Sequence, residues 1–270
     1  MLQLNLFDNN FRHLHNDNGE YSMVHEKIPR YIRYVRDLYE YDGITIFTDQ
    51  FLEKDFINRV NSKYKIGWII ECRNISPYSY ENFENYMDSL DFVLTHDSYL
   101  LGGGWVTGDN FRIHNKTKML SMIFSDKKEY EGHRLRHDVA YKFGKVGGFD
   151  LYGSGMGSRI PKKETALSDY MFTVVIENLK IENYFTEKII DPCLVGTIPI
   201  YWGCPNIDKF LDKNGIITFN TIDELENILR NLSEDLYFNK IKNVDANLEL
   251  AKNYEVTEDW IYLNILKELK

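Results

Sequence analysis

Short apolar runs alternate with longer amphipathic stretches along this chain, a pattern typical of proteins that mix strands with helices. The apolar runs predict strands at residues 44–47, 66–70, 92–95, 120–124, 149–152, 172–176, 198–201 and 216–219. Helical spacing of apolar positions predicts helices at residues 27–39, 52–62, 80–89, 134–143, 222–229, 235–250 and 257–269. Residues 1–8 also alternate apolar and polar side chains in the manner of a strand. This order of elements predicts an α/β fold.

A glycine-rich segment between the third and fourth predicted strands marks a change in the pattern. Three consecutive glycines lie between Leu101 and Trp105, and mostly polar residues follow as far as Lys118. Glycine loses much conformational freedom on folding, so regular structure is costly here. We therefore predict two α/β lobes, formed by residues 1–115 and by residues 116–270. Ligands of such folds bind at the carboxyl ends of the strands, which we expect to face a cleft between the lobes.

The formal net charge of −9 limits the classes of ligand. Proteins that bind polyanions usually present a basic domain or stripe, because phosphate contacts supply much of their affinity. The acidic balance therefore argues against nucleic acid as a partner and against tight binding to an anionic membrane surface. A small phosphorylated ligand stays open, since a local pair of cations is enough to bind it.

Cysteine usage and the N-terminal sequence predict a cytoplasmic protein. Cys72, Cys193 and Cys204 are widely spaced and form no Cys-x-x-Cys pair, which predicts neither a disulfide framework nor a zinc site. The N-terminus lacks the basic start and apolar run of a signal peptide. No segment approaches the roughly 18 apolar residues that a membrane span needs, so we expect no transmembrane segment.

Polar residues follow the predicted strand at 172–176 in an order that favours anion binding. Glu177 and Asn178 end the strand, and after a short loop Thr186 can cap a new helix. Lys188 would then lie in the first turn, where a cation opposes the helix dipole by about 0.3–1 kcal/mol. A bound anion such as a diphosphate would remove this conflict.

Two alternatives stay open for this segment. Glu187 can serve simply as an acidic residue in the first turn of a helix, where its charge suits the dipole. Asp191 can instead cap a helix that begins at Pro192, which would leave Lys188 in a loop.

The segment from Tyr170 to about Leu211 resembles the donor-binding signature of glycosyltransferase family 10, the α1,3/α1,4-fucosyltransferases. The resemblance rests on the pair Glu177-Asn178, on Tyr184 with Thr186-Glu187-Lys188, and on the run from Thr197 to Gly203. It implies a GT-B-like fold of two Rossmann-like lobes, in which residues 1–115 would bind the acceptor and residues 116–270 the nucleotide-sugar donor, with a final helix that crosses back to the first lobe. It also implies a GDP-fucose donor, an inverting reaction and no metal or other cofactor.

The resemblance also implies roles for single residues. Glu187 would hold the donor ribose hydroxyls and Lys188 the diphosphate, while Asn178 and Tyr184 would line the same pocket, with Glu177 as a further candidate. In the family a strand ending in serine precedes an arginine that opens a helix and grips the diphosphate. Arg136 matches this arginine better than Arg134, and the planar guanidinium fork suits bidentate bonds to phosphate.

Inverting transfer needs a base that takes the proton of the acceptor hydroxyl. Glu71 is the leading candidate, because it closes the predicted strand 66–70 shortly before Ser76-Pro77, as a glutamate does in the family. Asp97, at the end of another predicted strand, is the second candidate. A structural alternative is that Glu71 merely pairs with Arg73.

The sequence therefore predicts an inverting glycosyltransferase that moves L-fucose from GDP-fucose to a hydroxyl of a glycan. One alternative is a GT-B transferase for another nucleotide sugar, because ribose and diphosphate contacts do not read the hexose. A second alternative is a non-catalytic protein that binds a nucleotide sugar or a glycan.

Overall fold

The computed structural model describes most of the chain, namely residues 1–8, 28–71, 75–95, 111–145, 148–157 and 160–269. The chain divides into two compact units, the first comprising Met1–Leu101 with Val256–Lys270 and the second Gly102–Glu255. The three glycines on which the predicted boundary rests lie outside the described residues. The boundary at residue 115 stays a prediction.

The strands of the described residues, in chain order, are β1 (Leu2–Phe7), β2 (Ile32–Arg36), β3 (Glu40–Thr48), β4 (Asn61–Trp68), β5 (Phe92–Leu94), β6 (Lys118–Ile123), β7 (Phe149–Tyr152), β8 (Tyr170–Ile176), β9 (Ile198–Trp202) and β10 (Ile217–Thr218). The helices are α1 (Lys54–Arg59), α2 (Pro77–Glu81), α3 (Phe83–Tyr86), α4 (Glu131–Phe143), α5 (Glu164–Leu167), α6 (Glu187–Leu194), α7 (Ile222–Arg230), α8 (Glu234–Asn239), α9 (Ile241–Ala251) and α10 (Thr257–Asn264). None of these helices is long and apolar enough to cross a membrane.

The first unit is built on a five-stranded parallel sheet of order β2-β1-β3-β4-β5. Successive side chains of a strand point to opposite faces, and Leu6 and Phe7 accordingly belong to two separate apolar clusters. Ile261 of α10 packs into the cluster that contains Leu6. The side chain of Ile57 in α1 packs into the cluster that contains Phe7. Helices thus cover both faces, as parallel sheets require.

The second unit contains another five-stranded parallel sheet, of order β10-β9-β8-β6-β7. Every residue of the central strand β8 is buried, because both of its faces are covered and both of its edges are paired. A nearly continuous apolar run such as this, interrupted by Thr173, is the sequence signature of a central parallel strand. The sheet holds the end of β8, and the polar residues that follow it, in a fixed position.

Long-range strand pairing accounts for two of the elements that the sequence misassigned. The predicted helix at 27–39 is wrong, because residues 32–36 form strand β2 beside β1. The predicted helix at 52–62 is shortened to α1, since Asn61 already pairs with Glu40 at the start of β4. The predicted helix at 235–250 is divided at Lys240 into α8 and α9. For the first two elements the local apolar spacing was compatible with more than one kind of secondary structure, and strand pairing selected among them.

Candidate functional site

The polar residues after β8 lie at the carboxyl edge of the second unit's sheet. Glu177 is fully buried, and its N–H donates to the carbonyl of Trp202 at 2.9 Å, which continues the pairing of β8 with β9. Its carboxylate accepts hydrogen bonds from the N–H of Thr186 at 2.9 Å and from the Thr186 hydroxyl at 2.7 Å. Glu177 therefore fastens the start of α6 to the end of β8.

Helix α6 begins at the first of the two predicted positions. Thr186 is the N-cap, and its hydroxyl accepts a hydrogen bond from the N–H of Lys188 at 3.3 Å. Pro192 lies inside the helix instead of starting it. Glu187 and Lys188 are thus both in the first turn.

The ammonium of Lys188 lies among oxygen atoms of the same segment. It donates to the Thr186 hydroxyl at 2.9 Å and lies 3.2 Å from the Glu187 carboxylate and 3.7 Å from that of Glu177. These carboxylates compensate the unfavourable position of a cation in the first turn. The Lys188 side chain is 26% exposed, so the group is accessible to a ligand.

Electrostatics keep Glu187 in its anionic form. Burial alone would raise its pKa, but the ammonium groups of Lys188 and Lys163 outweigh this effect and lower the pKa to about 2. The fully buried Glu177 behaves in the opposite way, since burial raises its pKa and Lys188 offsets the rise only in part. Glu187 therefore offers an ionised, partly exposed acceptor of hydrogen bonds.

Arg136 of α4 reaches the same strand end. Its Nε and Nη2 donate to the carbonyl of Ile176 at 2.9 and 2.6 Å, and Nη2 also donates to the Asn178 side-chain oxygen at 2.9 Å. The side chain is only 6% exposed. Burial lowers the pKa of this guanidinium, while Glu177 and Glu187 favour its charged form. Among the described residues Arg136 has no hydrogen-bond partner for Nη1, which leaves these two N–H groups for a ligand.

The other residues that the sequence proposed for this site occupy different surroundings. Arg134 is exposed and donates to the carbonyls of Lys128 at 3.3 Å and Glu129 at 2.8 Å, so it fastens the loop before α4. Tyr184 is 2% exposed and lies close enough to Arg136 to act on its charge. The structure thus brings Arg136, Asn178 and Tyr184 together with the start of α6, whereas Arg134 is directed to a loop.

Gly132 in the first turn of α4 is a contributor that the sequence analysis did not single out. Its N–H donates to the carbonyl of Asn178 at 2.9 Å. A Cβ atom at this position would lie 1.7 Å from the carbonyl oxygen of Glu177. The predicted helix began at residue 134, so Gly132 lay outside it and its close approach to Glu177 could not be foreseen from the sequence pattern.

The carboxyl edge of the first unit's sheet also carries acidic side chains. Glu71 follows β4 and is half-buried, and its carbonyl accepts a hydrogen bond from the Tyr80 hydroxyl at 3.1 Å. Asp97 lies outside the described residues. Two further carboxylates, which the sequence analysis did not propose, follow neighbouring strands: Asp8 after β1 and Asp49 after β3, each 6% exposed.

Asp49 is held in an unfavourable environment. Its φ angle of 23° lies in the left-handed region, which is strained for a residue other than glycine. The Ser76 hydroxyl donates to Oδ1 at 3.4 Å, while Oδ2 is buried without a hydrogen-bond partner among the described residues. Burial, with a smaller contribution from the negative Asp8, raises the pKa of Asp49 to about 6, although hydrogen bonds from Ser76 and the Ile70 N–H oppose the rise.

No group of three or more His, Cys, Asp or Glu side chains that could hold a metal ion occurs within the part of the chain that the structure describes.

Comparisons with known proteins identify the second unit. Residues 113–254 match the family described as glycosyltransferase family 10 (fucosyltransferase), C-terminal part. This match contains Arg136 and the whole segment from Glu177 to Lys188. It confirms the resemblance on which the sequence-based roles depend.

Individual relatives match over shorter segments. A putative fucosyltransferase (R654) of Acanthamoeba polyphaga mimivirus is 34% identical over 97 residues, which are 36% of this chain and 14% of that protein. The α-(1,3)-fucosyltransferase FucT of Helicobacter pylori is 31% identical over 108 residues, 36% of this chain and 23% of that protein. The matched segments thus span less than a quarter of these relatives.

One solved structure is similar over nearly the whole chain. A crystal structure of an α1,3-fucosyltransferase with GDP aligns with a TM-score of 0.53 over 96% of this chain and 92% of that chain, at 17% identity. At this identity the likeness shows the fold. It confirms the predicted GT-B-like fold of two α/β lobes.

Replacing Gly132 by alanine should destabilise the protein by about 2 kcal/mol or more, because the backbone of Glu177 cannot move away from the new methyl group without disturbing the strand end. The free energy of unfolding would be measured by urea denaturation. Tyr141→Ala, at a position of the same helix that is 86% exposed, is the matched control and should change stability by less than about 0.5 kcal/mol. Equal stability of the two variants would contradict the close approach of α4 to Glu177.

Relative to the unaltered protein, the variant Asp49→Asn should gain more stability at pH 7.5 than at pH 4. Because the pKa of Asp49 is raised in the folded state, its contribution to stability is full below pH 3.8 and is lost as the pH rises through about 6. This loss amounts to roughly 3 kcal/mol once the carboxylate is ionised. The gain of Asp49→Asn would be measured as the difference in unfolding free energy at the two pH values.

The exposed Asp88 provides the control for this experiment, since Asp88→Asn should alter stability by no more than about 0.5 kcal/mol. If Asp49→Asn destabilised the protein equally at both pH values, the buried carboxylate would have to be satisfied by a partner, and the proposed environment of Asp49 would be wrong.

Proposed function

The chain belongs to glycosyltransferase family 10, and on that premise we propose that it transfers L-fucose from GDP-fucose to a hydroxyl group of a glycan, with inversion at the transferred carbon. The observation that carries this proposal is the start of α6, where an ionised Glu187 and the cationic Lys188 lie beside Arg136 at a single strand end. A nucleoside diphosphate needs both a polar acceptor for its ribose hydroxyls and cations for its phosphates. This segment supplies both.

The donor would be held by groups of unlike charge. We propose that the Glu187 carboxylate accepts hydrogen bonds from the ribose hydroxyls, while Lys188 and the free Nη1 of Arg136 bind the diphosphate. The first N–H groups of α6 also favour an anion. Asn178 and the buried Tyr184 would shape the wall of this pocket.

The transfer step needs a base and a stabilised leaving group. We propose that Glu71 takes the proton of the acceptor hydroxyl. At the same time the hydroxyl oxygen forms a bond to the anomeric carbon of fucose, and the bond from that carbon to the diphosphate breaks. The electron pair leaves with GDP, whose developing charge Lys188 and Arg136 would stabilise. Asp97 is the second candidate for the base.

Two alternatives to a GDP-fucose transferase are compatible with the same contacts. The ribose and diphosphate contacts do not read the hexose, so a different GDP-sugar or nucleotide sugar would bind in the same way. A binding protein without turnover would keep the same contacts in the second unit and lack a functional base in the first.

Calorimetric titration of the purified protein with GDP, UDP and GDP-fucose, with and without EDTA, tests the donor assignment. We expect GDP and GDP-fucose to bind at least about tenfold more tightly than UDP, with affinities that EDTA does not change. Preference for UDP, or no binding of any nucleotide, would contradict GDP-fucose as donor.

Lys188→Ala should weaken GDP binding, whereas Lys209→Ala, at an exposed position of the same unit, should not.

Replacing Glu71 by glutamine tests the base separately. The glutamine side chain has nearly the same shape but cannot accept a proton, so turnover should fall by about 10²-fold or more. GDP affinity should stay unchanged, because Glu71 belongs to the other unit. Full activity of this variant in a transfer assay with a suitable glycan would reject Glu71 and direct the assignment to Asp97.

A further inference from the structure

The first turns of α6 contact a second lysine that comes from outside the helix. Lys163, which precedes α5, places its ammonium 2.7 Å from Oδ2 of Asp191 and 3.7 Å from Oε1 of Glu187. Glu187 and Asp191 are four residues apart and thus lie on the same face of α6. The ammonium of Lys163 therefore bridges two successive turns of the helix.

Asp191 fixes the position of this lysine. The Asp191 side chain is only 1% exposed, and its carboxylate makes the shorter of the two contacts with Lys163. Removing one partner of a buried ion pair leaves an uncompensated charge, which is strongly unfavourable. Lys163 is thus tied to the helix body, and its contact with Glu187 follows from that attachment.

The charges alternate along this part of α6. Asp191, Lys163, Glu187, Lys188 and Glu177 follow one another in space, each within 4 Å of the next. Glu187 is the central member and contacts both lysines. The two lysines differ in what else they contact, since Lys188 is directed to Thr186 and Glu177, and Lys163 to Asp191.

Binding of a diphosphate makes competing demands on Lys188. A phosphate oxygen that binds the Lys188 ammonium draws it away from Glu187, whose carboxylate must then accept the ribose hydroxyls without that contact. Lys163 stays beside Glu187, because its contact with Asp191 does not involve the ligand.

We propose that Lys163 is a positioning residue for donor binding, which holds the Glu187 carboxylate in place for the ribose hydroxyls when Lys188 turns to the diphosphate. The inference rests on the proposed function, since it assigns the ribose to Glu187 and the diphosphate to Lys188. Lys163 itself contacts neither the ribose nor the phosphates in this arrangement, and acts through Glu187.

Comparison of GDP with 2′,3′-dideoxy-GDP separates this role from a structural one. The dideoxy nucleotide keeps the base and the diphosphate and lacks the hydroxyls that Glu187 would bind. For Lys163→Met, we expect GDP affinity to fall about tenfold in calorimetric titration while affinity for the dideoxy nucleotide changes by less than about twofold. Lys163→Arg keeps the charge and should retain most of the preference for GDP.

A second variant controls for destabilisation of the fold by the single substitution. Lys163→Met removes the lysine that contacts the buried Asp191, so the double variant Lys163→Met/Asp191→Asn removes both charges of this pair together. It should lose the preference for GDP over the dideoxy nucleotide to the same degree. Lys188→Met provides the contrast, since it should weaken both nucleotides about equally and leave their ratio unchanged.

The outcomes distinguish a failure of the positioning role of Lys163 from a failure of the proposed function. Equal weakening of both nucleotides in the Lys163 variants, or no change in either, would overturn the positioning role and leave the proposed function intact. If the unaltered protein bound both nucleotides equally, Glu187 would not read the ribose, and the inference would fall. No GDP binding by the unaltered protein would overturn the proposed function itself.

Discussion

The buried carboxylate of Glu177 is the contact on which the site in the second unit depends. Both of its oxygens are taken by Thr186, one by the N–H and one by the hydroxyl. A fully buried carboxylate is tolerated only where hydrogen bonds satisfy it, so the loop after β8 must return Thr186 to this point. The position and direction of α6 follow from that requirement, and with them the positions of Glu187 and Lys188.

The same strand end also fixes α4. Gly132 approaches the backbone of Glu177 too closely for any side chain, and Arg136 one turn later donates to the carbonyl of Ile176. Two helices thus converge on one strand terminus, each held by hydrogen bonds to its backbone or to the buried carboxylate. A site assembled in this way is preorganised, because the charged groups are placed before any ligand arrives.

The first unit also has a parallel sheet, but the carboxyl ends of its strands carry acidic side chains. Its parallel sheet gathers Asp8, Asp49 and Glu71 at the carboxyl ends of neighbouring strands. Its last helix, α10, is fastened by Asp259, which is 3% exposed and accepts hydrogen bonds at 2.7 Å from both the N–H and the guanidinium of Arg30. Residues from the two ends of the chain therefore complete one compact unit.

The sequence by itself determined the α/β class and the central strands of the second unit, because both depend on the local spacing of apolar residues. It left two starts open for helix α6, and the structure selected the cap at Thr186. The family signature between Tyr170 and Leu211 likewise lies in one continuous segment. What tertiary structure alone decided concerns residues far apart in the chain. Residues 32–36 became a strand because β1 pairs with them, and Lys163 met Asp191 because the loop before α5 lies over α6. Local periodicity cannot encode such contacts, since they arise only when the order of strands in the sheet brings distant segments together.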